Sequence, residues 1–303
     1  MNLDFYNQLI QTIDEERVLM EEPMKKHTTF RVGGNADYFV MPRSADEIKK
    51  TIALCRKNGV EYYILGNGSN LLVSDAGYRG VIIQLFRNMS EITVEGNMIR
   101  ASAGALLSGI AAAAKNESLT GFEFAGGIPG TIGGAVVMNA GAYGGEMKDV
   151  LKEVTVMTKE GEILKIQAEN LELGYRTSIV KKADYLVLEA VISLEKGDQE
   201  AIKARMRELT EQRVSKQPLE YPSAGSTFKR PEGYFAGKLI MDSDLRGYRV
   251  GGAQVSEKHC GFVINAGDAT AADVVKLMQD VSAIVKEKFG VELEPEVKFL
   301  GEY

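Results

Sequence analysis

The chain has 303 residues, 45% of them hydrophobic and 26% charged, which is about two domains' worth at ~150 residues each and too apolar for a disordered chain. Lys and Arg number 36 against 42 Asp and Glu, a net charge of −6, with only short basic pairs such as Lys25-Lys26, Lys49-Lys50 and Lys181-Lys182, so the composition argues against a nucleic-acid binder. The widely separated Cys55 and Cys260 make neither a CxxC motif nor a disulfide framework and fit a reducing cytoplasm, while His27 and His259 lie too far apart for HExxH metal chemistry.

In chain order, Leu3 to about Arg17 reads as an amphipathic helix with Tyr6, Leu9, Ile10 and Ile13 on one face. No basic, apolar signal segment precedes it. Ala36–Met41 reads as a strand, and Ser44 with Glu47 as a capping box opening a helix that stops at Gly59. Val60–Leu65 is an expected buried strand running straight into Gly66-Asn67-Gly68-Ser69-Asn70. Val81–Leu85 is another strand. Glu91–Val94 and Met98–Ala103 flank a hairpin turn, and Ala105–Asn116 is helical.

The next tract, residues 124–145, carries no charge and is long enough to span a bilayer. Its glycines and Pro129 instead predict irregular backbone packed against something, a poor helix and a poor strand. Val154–Met157, Ile163–Ile166 and Tyr185–Leu194 return to sheet. A charged helix, Gln199–Gln212, follows a boundary expected near residue 196. Beyond it come a helix near Phe235–Ser243, a strand at Gly261–Asn265, a long helix at Ala271–Phe289 capped by Asp268 or Thr270, and a last strand at Glu292–Leu300. The expected fold class is α+β.

Two glycine-rich loops are the candidates for chemistry. Gly66–Asn70 lacks the third glycine of a dinucleotide fingerprint, since Leu71 stands there, and the loop at 126–134 has no P-loop lysine. What remains is free amides plus the Ser69, Asn70 and Thr131 side chains, a donor set suited to a diphosphate held without fixed cations. Arg176, between a glycine turn and small hydroxyls, and Ser226, after Gly225, are candidates for ligand contact. Period-2 alternation puts Glu292, Glu294 and Glu296 on one face of the last strand, where a buried member needs an arginine partner.

The order of these pieces is specific. His27-Thr28-Thr29-Phe30-Arg31-Val32-Gly33-Gly34, Leu65–Leu72, Gly127–Gly134, Asn139-Ala140-Gly141-Ala142-Tyr143-Gly144, Gly174-Tyr175-Arg176, Ala224–Lys229 and Leu293–Val297 together closely resemble the UDP-N-acetylenolpyruvoylglucosamine reductase family, in its shorter subclass. The resemblance implies a two-lobed FAD domain of the vanillyl-alcohol-oxidase (PCMH) type, with lobes at 1–80 and 81–196. It also implies a smaller α+β substrate domain at 197–303, whose last strand returns Glu296 to the active site.

The activity so implied makes UDP-N-acetylmuramate for peptidoglycan in the cytoplasm. Non-covalent FAD takes hydride from NADPH and passes it from flavin N5 to the enolpyruvyl β-carbon. By motif match, Gly66, Asn67, Gly68, Ser69 and Asn70 would hold the FAD diphosphate. Gly126, Gly127, Ile128, Pro129, Gly130, Thr131, Gly133 and Gly134, with Ala140 and Gly141, would line the flavin. Arg176 would be the active-site arginine, Ser226 the proton donor to the α-carbon and Glu296 the catalytic carboxylate. Tyr175, Lys216, Lys229 and His259 would contact the substrate, and no metal is implied. The implied partners are the enolpyruvyl nucleotide sugar and NADPH, with no nucleic acid and no membrane. The competing expectations are another FAD-dependent oxidoreductase of the same fold and a non-catalytic nucleotide-sugar binder.

Overall fold

The computed structural model describes residues 2–303. A four-stranded mixed sheet comes first, in the order Val18–Pro23, Asn35–Val40, Tyr78–Gln84, Tyr62–Leu65, with only the first pair antiparallel. The helix Ala45–Asn58 supplies the crossover. Ser44 Oγ caps it by accepting from Glu47 N at 3.2 Å, and Gly59 ends it in the left-handed region at φ 66°. Only half of the expected capping box forms. The Glu47 carboxylate turns away to Arg17, at 2.6 Å, because that guanidinium is nearly buried and needs an anion.

The second sheet is five-stranded and antiparallel, in the order Ile163–Gln167, Leu151–Met157, Leu186–Ser193, Met98–Ser102, Ile92–Glu95. One apolar core joins the two sheets through side chains such as Phe5, Ile83, Ile99, Val154 and Ile192. A smaller core of Met24, Phe39, Ile82 and Leu300 covers the other face of the first sheet. A third core gathers the three-stranded sheet Arg249–Val250, Ala253–Val255, Val263–Asn265 and the helices Ala236–Asp242 and Ala271–Phe289.

Three residues from the segments connecting the first sheet's strands, Phe30, Val32 and Leu72, are buried in that third core. Phe30 is wholly buried, which stabilises the docking by about 2 kcal/mol. Asp75 adds a polar clamp. Its two carboxylate oxygens accept from Ala271 N at 2.8 Å and Ala272 N at 2.9 Å, so a loop near the first sheet caps the longest C-terminal helix. Thr270 also caps that helix, in a capping box with Asp273. The chain then returns: Lys298–Leu300 pairs parallel with Leu71–Val73.

Several expectations need correction. The first helix covers only Leu3–Ile10, and Val18–Pro23 is a strand. That strand is an edge, so it tolerates Glu21, Glu22 and Pro23, which hid it from a propensity reading. Inside the uncharged tract, Ile132–Met138 is a helix despite two glycines. Gly133 is there because a Cβ would stand 3.0 Å from the Ala103 carbonyl oxygen, to which Ile132–Met138 packs closely. Pro295 breaks the last strand, leaving an isolated bridge to Phe228 and a ladder only over Lys298–Leu300. The helix after residue 196 extends to Lys216 and lays Met206 on the largest core.

Candidate functional site

Strand ends and loops from all three parts of the chain converge on Arg176 and Glu296. Arg176 occupies a two-residue turn in which Gly174 and Thr177 exchange backbone bonds of 3.1 and 3.3 Å. Its φ of 56° is left-handed, a strained state for arginine, and two neighbours hold it. Lys181 Nζ donates to the Arg176 carbonyl oxygen at 3.2 Å, and Asn139 Nδ2 donates to the Gly174 carbonyl oxygen at 3.2 Å. Asn139 is itself fully enclosed and left-handed at φ 42°, with its oxygen accepting from Lys148 N at 2.9 Å. The Glu146 carboxyl, which also accepts from Asn139, sits below the usual carboxylate range, first because Lys148 bonds it.

The guanidinium so placed meets Glu296: Arg176 Nε donates to Glu296 Oε1 at 2.5 Å, with side-chain exposures of 22% and 12%. Glu296 is thus a largely buried carboxylate with an arginine partner, although no strand runs through residues 292–296 to set it there by alternation. Glu296 is fixed by its backbone on both sides. Its N–H donates to Thr227 O at 2.8 Å, and its carbonyl oxygen accepts from Asn70 Nδ2 at 3.2 Å. Asn70 therefore ties the first glycine loop to the last strand. Ser226 is exposed directly before Thr227, after Gly225, whose φ of 76° makes the turn. Thr227 is buried and bonded on three sides, to Gly261 O, Val263 N and Glu296 N, so the serine rides on a rigid segment.

The two glycine loops touch. Asn67 Nδ2 donates to Pro129 O at 2.7 Å, and Ser69 Oγ lies against Gly130. A Cβ on Gly66 would stand 2.5 Å from Thr131 Oγ1, and one on Gly68 would stand 2.1 Å from the His27 carbonyl oxygen. Both are close-approach glycines, and Gly68 also needs its φ of 62°. Beside them a cleft of about 530 Å³ opens between residues 26–31, Asn67 and residues 84–88, with Lys26, Arg31 and Arg87 on its walls. Gly126 packs on Ala111, and Gly141 on Gly145 across a tight hairpin that begins after Ala140. Gly127 faces Arg213, whose side chain would lie 3.1 Å from a Cβ there.

Arg213 was not among the sequence candidates. Burial holds its pKa below the usual arginine value, and its charged neighbourhood contains Tyr143 rather than a carboxylate. Among the described residues no carboxylate forms an ion pair with it, and its side chain lies along Gly127. The sequence carried no sign of it, because the helix Gln199–Lys216 is polar nearly all round.

The expected substrate contacts are dispersed. Tyr175 is half exposed, its hydroxyl accepting from Arg230 N at 3.0 Å, and its ring lies under Arg176. Lys229 pairs with Glu294. Lys216 is exposed at the end of its helix. His259 turns inward: Nδ1 accepts from Gly261 N at 3.1 Å, the ring meets Phe262 edge-on, and burial lowers its pKa. His27 lies on Phe39 with Nε2 at 2.9 Å from Glu22.

Comparison with known proteins agrees with this arrangement. The family model of an FAD binding domain matches residues 36–167, and that of the UDP-N-acetylenolpyruvoylglucosamine reductase, C-terminal domain, matches residues 217–300. The UDP-N-acetylenolpyruvoylglucosamine reductase of Lachnoclostridium phytofermentans is 57% identical over 306 residues, covering 100% of this chain and 99% of that one. The solved UDP-N-acetylenolpyruvylglucosamine reductase of Thermus caldophilus matches with a TM-score of 0.80 at 35% identity, over 94% of this chain and 98% of that one. A BBE-like 1 protein of Physcomitrella patens shares the fold alone, with a TM-score of 0.50 at 16% identity over 63% of this chain and 44% of that one. The expected α+β architecture, an FAD-binding part followed by a C-terminal domain, holds. With full-length relatives above half identity, the chain belongs to the UDP-N-acetylenolpyruvoylglucosamine reductase family.

Proposed function

We propose that this enzyme reduces UDP-N-acetylglucosamine enolpyruvate to UDP-N-acetylmuramate for peptidoglycan synthesis, with NADPH as donor and non-covalent FAD as carrier. The observation that carries the reading is the Arg176–Glu296 pair beside the joined glycine loops, within a chain that matches full-length reductases of this name. FAD, when bound, supplies the two-electron relay between donor and enolpyruvyl carbon. In our reading Gly66, Asn67, Gly68, Ser69 and Asn70 hold its diphosphate, and Gly126–Gly134 with Ala140 and Gly141 face the ring system. The Thr131 side chain, nearly buried and directed at Gly66, lies at the junction.

The chain's own groups divide the remaining work. Arg176 receives the substrate carboxylate, where negative charge grows as hydride arrives at the β-carbon. A guanidinium suits that task because it binds a carboxylate with two parallel bonds. Glu296 holds Arg176 by its Nε, leaving the terminal nitrogens for substrate. Ser226 donates the proton to the α-carbon. Tyr175, Lys216, Lys229 and His259 belong to the substrate side in this reading, His259 by supporting the turn at Gly261. The first and second sheets belong to the two cofactor lobes, with the boundary after the strand Tyr78–Gln84 rather than at the expected residue 80, and the helix Gln199–Lys216 leads into the substrate half. The buried, unpaired Cys55 and Cys260 fit a cytoplasmic enzyme.

An anaerobic absorbance titration tests the reading. The oxidised-flavin band should bleach with NADPH and recover with the enolpyruvyl nucleotide sugar. In Ser226→Ala, bleaching should persist and recovery should be lost. Equal loss of both half-reactions would remove the proton-donor role.

A further inference from the structure

Tyr175 and Arg176 are the two central residues of the turn closed by Gly174 and Thr177, and each makes its own contact with the C-terminal part of the chain. Arg176 Nε donates to Glu296 Oε1 at 2.5 Å. The Tyr175 hydroxyl oxygen accepts from Arg230 N at 3.0 Å, across 55 positions of sequence. The far ends of these two contacts are themselves joined. Glu296 N donates to Thr227 O at 2.8 Å and Lys229 N donates to Glu294 O at 2.8 Å, with Phe228 bridging Pro295 between them in the antiparallel sense. Residues 227–230 and 294–296 therefore lie side by side as one short strip. Tyr175 grips one member of it and Arg176 grips the other.

The circuit is closed. It runs from Arg176 through Glu296 to Thr227, along the backbone to Arg230, through the Tyr175 hydroxyl and back to Arg176. A turn pinned to the strip at one point can pivot about it, whereas a turn pinned on both members cannot. Ser226 directly precedes Thr227, whose N–H donates to Gly261 O at 2.9 Å and whose Oγ1 accepts from Val263 N at 2.8 Å. The serine is thus fixed to the strip, and Tyr175 fixes the arginine turn to the same strip. The Tyr175 ring also stands 5.2 Å from the guanidinium carbon of Arg176, a cation–π distance. At 52% exposure Tyr175 gains little from burial, which leaves these two directed contacts as its contribution.

We propose that Tyr175 is a positioning residue: its hydroxyl sets the Arg176 guanidinium relative to the segment that carries Ser226. The two groups come from different parts of the chain, yet the charge that grows on the substrate must meet both at once. Holding them to within about 0.5 Å needs a second tie besides the Arg176–Glu296 pair. Because that charge grows only as the transition state is approached, a guanidinium aimed wrongly costs rate more than affinity. Tyr175 acts through Arg176 and not by the direct substrate contact expected from the sequence. The inference rests on the functional reading above for the roles of Arg176 and Ser226.

Tyr175→Phe is the test, since it keeps the ring beside the guanidinium and removes only the acceptor for the Arg230 N–H. NADPH-reduced holoenzyme is mixed with rising concentrations of the nucleotide sugar, and the flavin reoxidation rate gives a limiting value and a half-saturation. Flavin content and Tm serve as folding controls. The expected result is a limiting rate about three- to tenfold lower with half-saturation unchanged, the size of one neutral hydrogen bond felt in the transition state. Flavin reduction by NADPH should stay near wild type. Tyr175→Leu, which takes away the ring as well, should lower the limiting rate further. A raised half-saturation with an unchanged limiting rate makes the hydroxyl a substrate contact and overturns the proposal. So does no change in either quantity, or an equal loss in both half-reactions.

Amide hydrogen exchange keeps the two readings separable. In the oxidised holoenzyme, exchange at the Arg230 N–H should quicken about three- to tenfold in Tyr175→Phe, whether or not the nucleotide sugar reoxidises the flavin. Failure of the wild type to be reoxidised counts against the functional reading, whereas unchanged exchange at Arg230 overturns the coupling.

Discussion

Gly66→Ala is the substitution that examines the junction of the two glycine loops most directly. Gly66 has ordinary backbone angles, so alanine brings no conformational penalty of its own. The Cβ, however, would stand 2.5 Å from Thr131 Oγ1, about 1 Å inside ordinary contact. Thr131 is nearly buried at the start of the helix Ile132–Met138, whose first amides bond Ala105 O and Ala103 O, so it has little room to retreat. Overpacking of this kind costs about 1–3 kcal/mol. If the loops clamp the FAD diphosphate together, that cost appears as roughly ten- to a hundredfold weaker FAD binding. The remaining neighbours, Thr131 Cβ and Cγ2, lie at 3.6 and 3.5 Å, so truncating Thr131 relieves the clash.

Thr131→Ala by itself should lose one hydroxyl donor, about 1 kcal/mol. The double variant Gly66→Ala/Thr131→Ala should then bind FAD about as well as Thr131→Ala and clearly better than Gly66→Ala. FAD affinity measured by flavin fluorescence, with Tm alongside, completes the double-mutant cycle. Additive losses, or a Gly66→Ala protein with wild-type FAD affinity, would refute the close junction.

Three further outcomes follow from the structure. The Arg17 side chain holds Glu47 below the usual carboxylate range, chiefly by direct hydrogen bonding. A lowered folded pKa contributes stability that is fully present above the ordinary value near 4.5 and is lost as pH falls through the lowered one. Glu47→Gln should therefore cost about 3 kcal/mol at neutral pH, as unfolding by urea would show, and should flatten the loss of Tm in acid. Asn139→Ala removes the side-chain bond that holds the Arg176 turn and puts alanine at φ 42°. Turnover with the nucleotide sugar should fall at least tenfold while bound flavin stays near wild type, an effect of about 1–3 kcal/mol; a parallel loss of flavin would show that the turn is not its target. Asp75→Ala removes the clamp on Ala271 N and Ala272 N and should lower stability by about 1–2 kcal/mol. Because that clamp joins two parts of the chain, its removal should also broaden the unfolding transition seen by calorimetry; an unchanged Tm would refute the role.

What the sequence determined was local. Ser44, Gly59, Thr270 and the 3.6-residue periodicity of Ala271–Phe289 mark helix ends because capping and amphipathic burial are settled within a few residues. The glycine loops were legible for the same reason, since a run of glycines announces close backbone approach whatever the partner. The sequence also showed that Glu296, if buried, would need an arginine, although the strand expected around it is broken at Pro295. Which arginine was a tertiary matter: Arg176 comes from a strained turn 120 residues earlier, held by Asn139 and Lys181.

The tertiary structure alone decided the rest. Val18–Pro23 is a strand only because Asn35–Val40 offers it an edge. Gly133 is tolerated in a helix only because Ala103 lies against it. Arg213 matters only because folding brings a polar helix against Gly127. Burial is a property of neighbours distant in sequence, and so is the energetic cost of a charge. A chain can therefore display its caps and turns openly while its counter-charges, such as Glu296 for Arg176, become visible only when the last strand folds back beside Leu71–Val73.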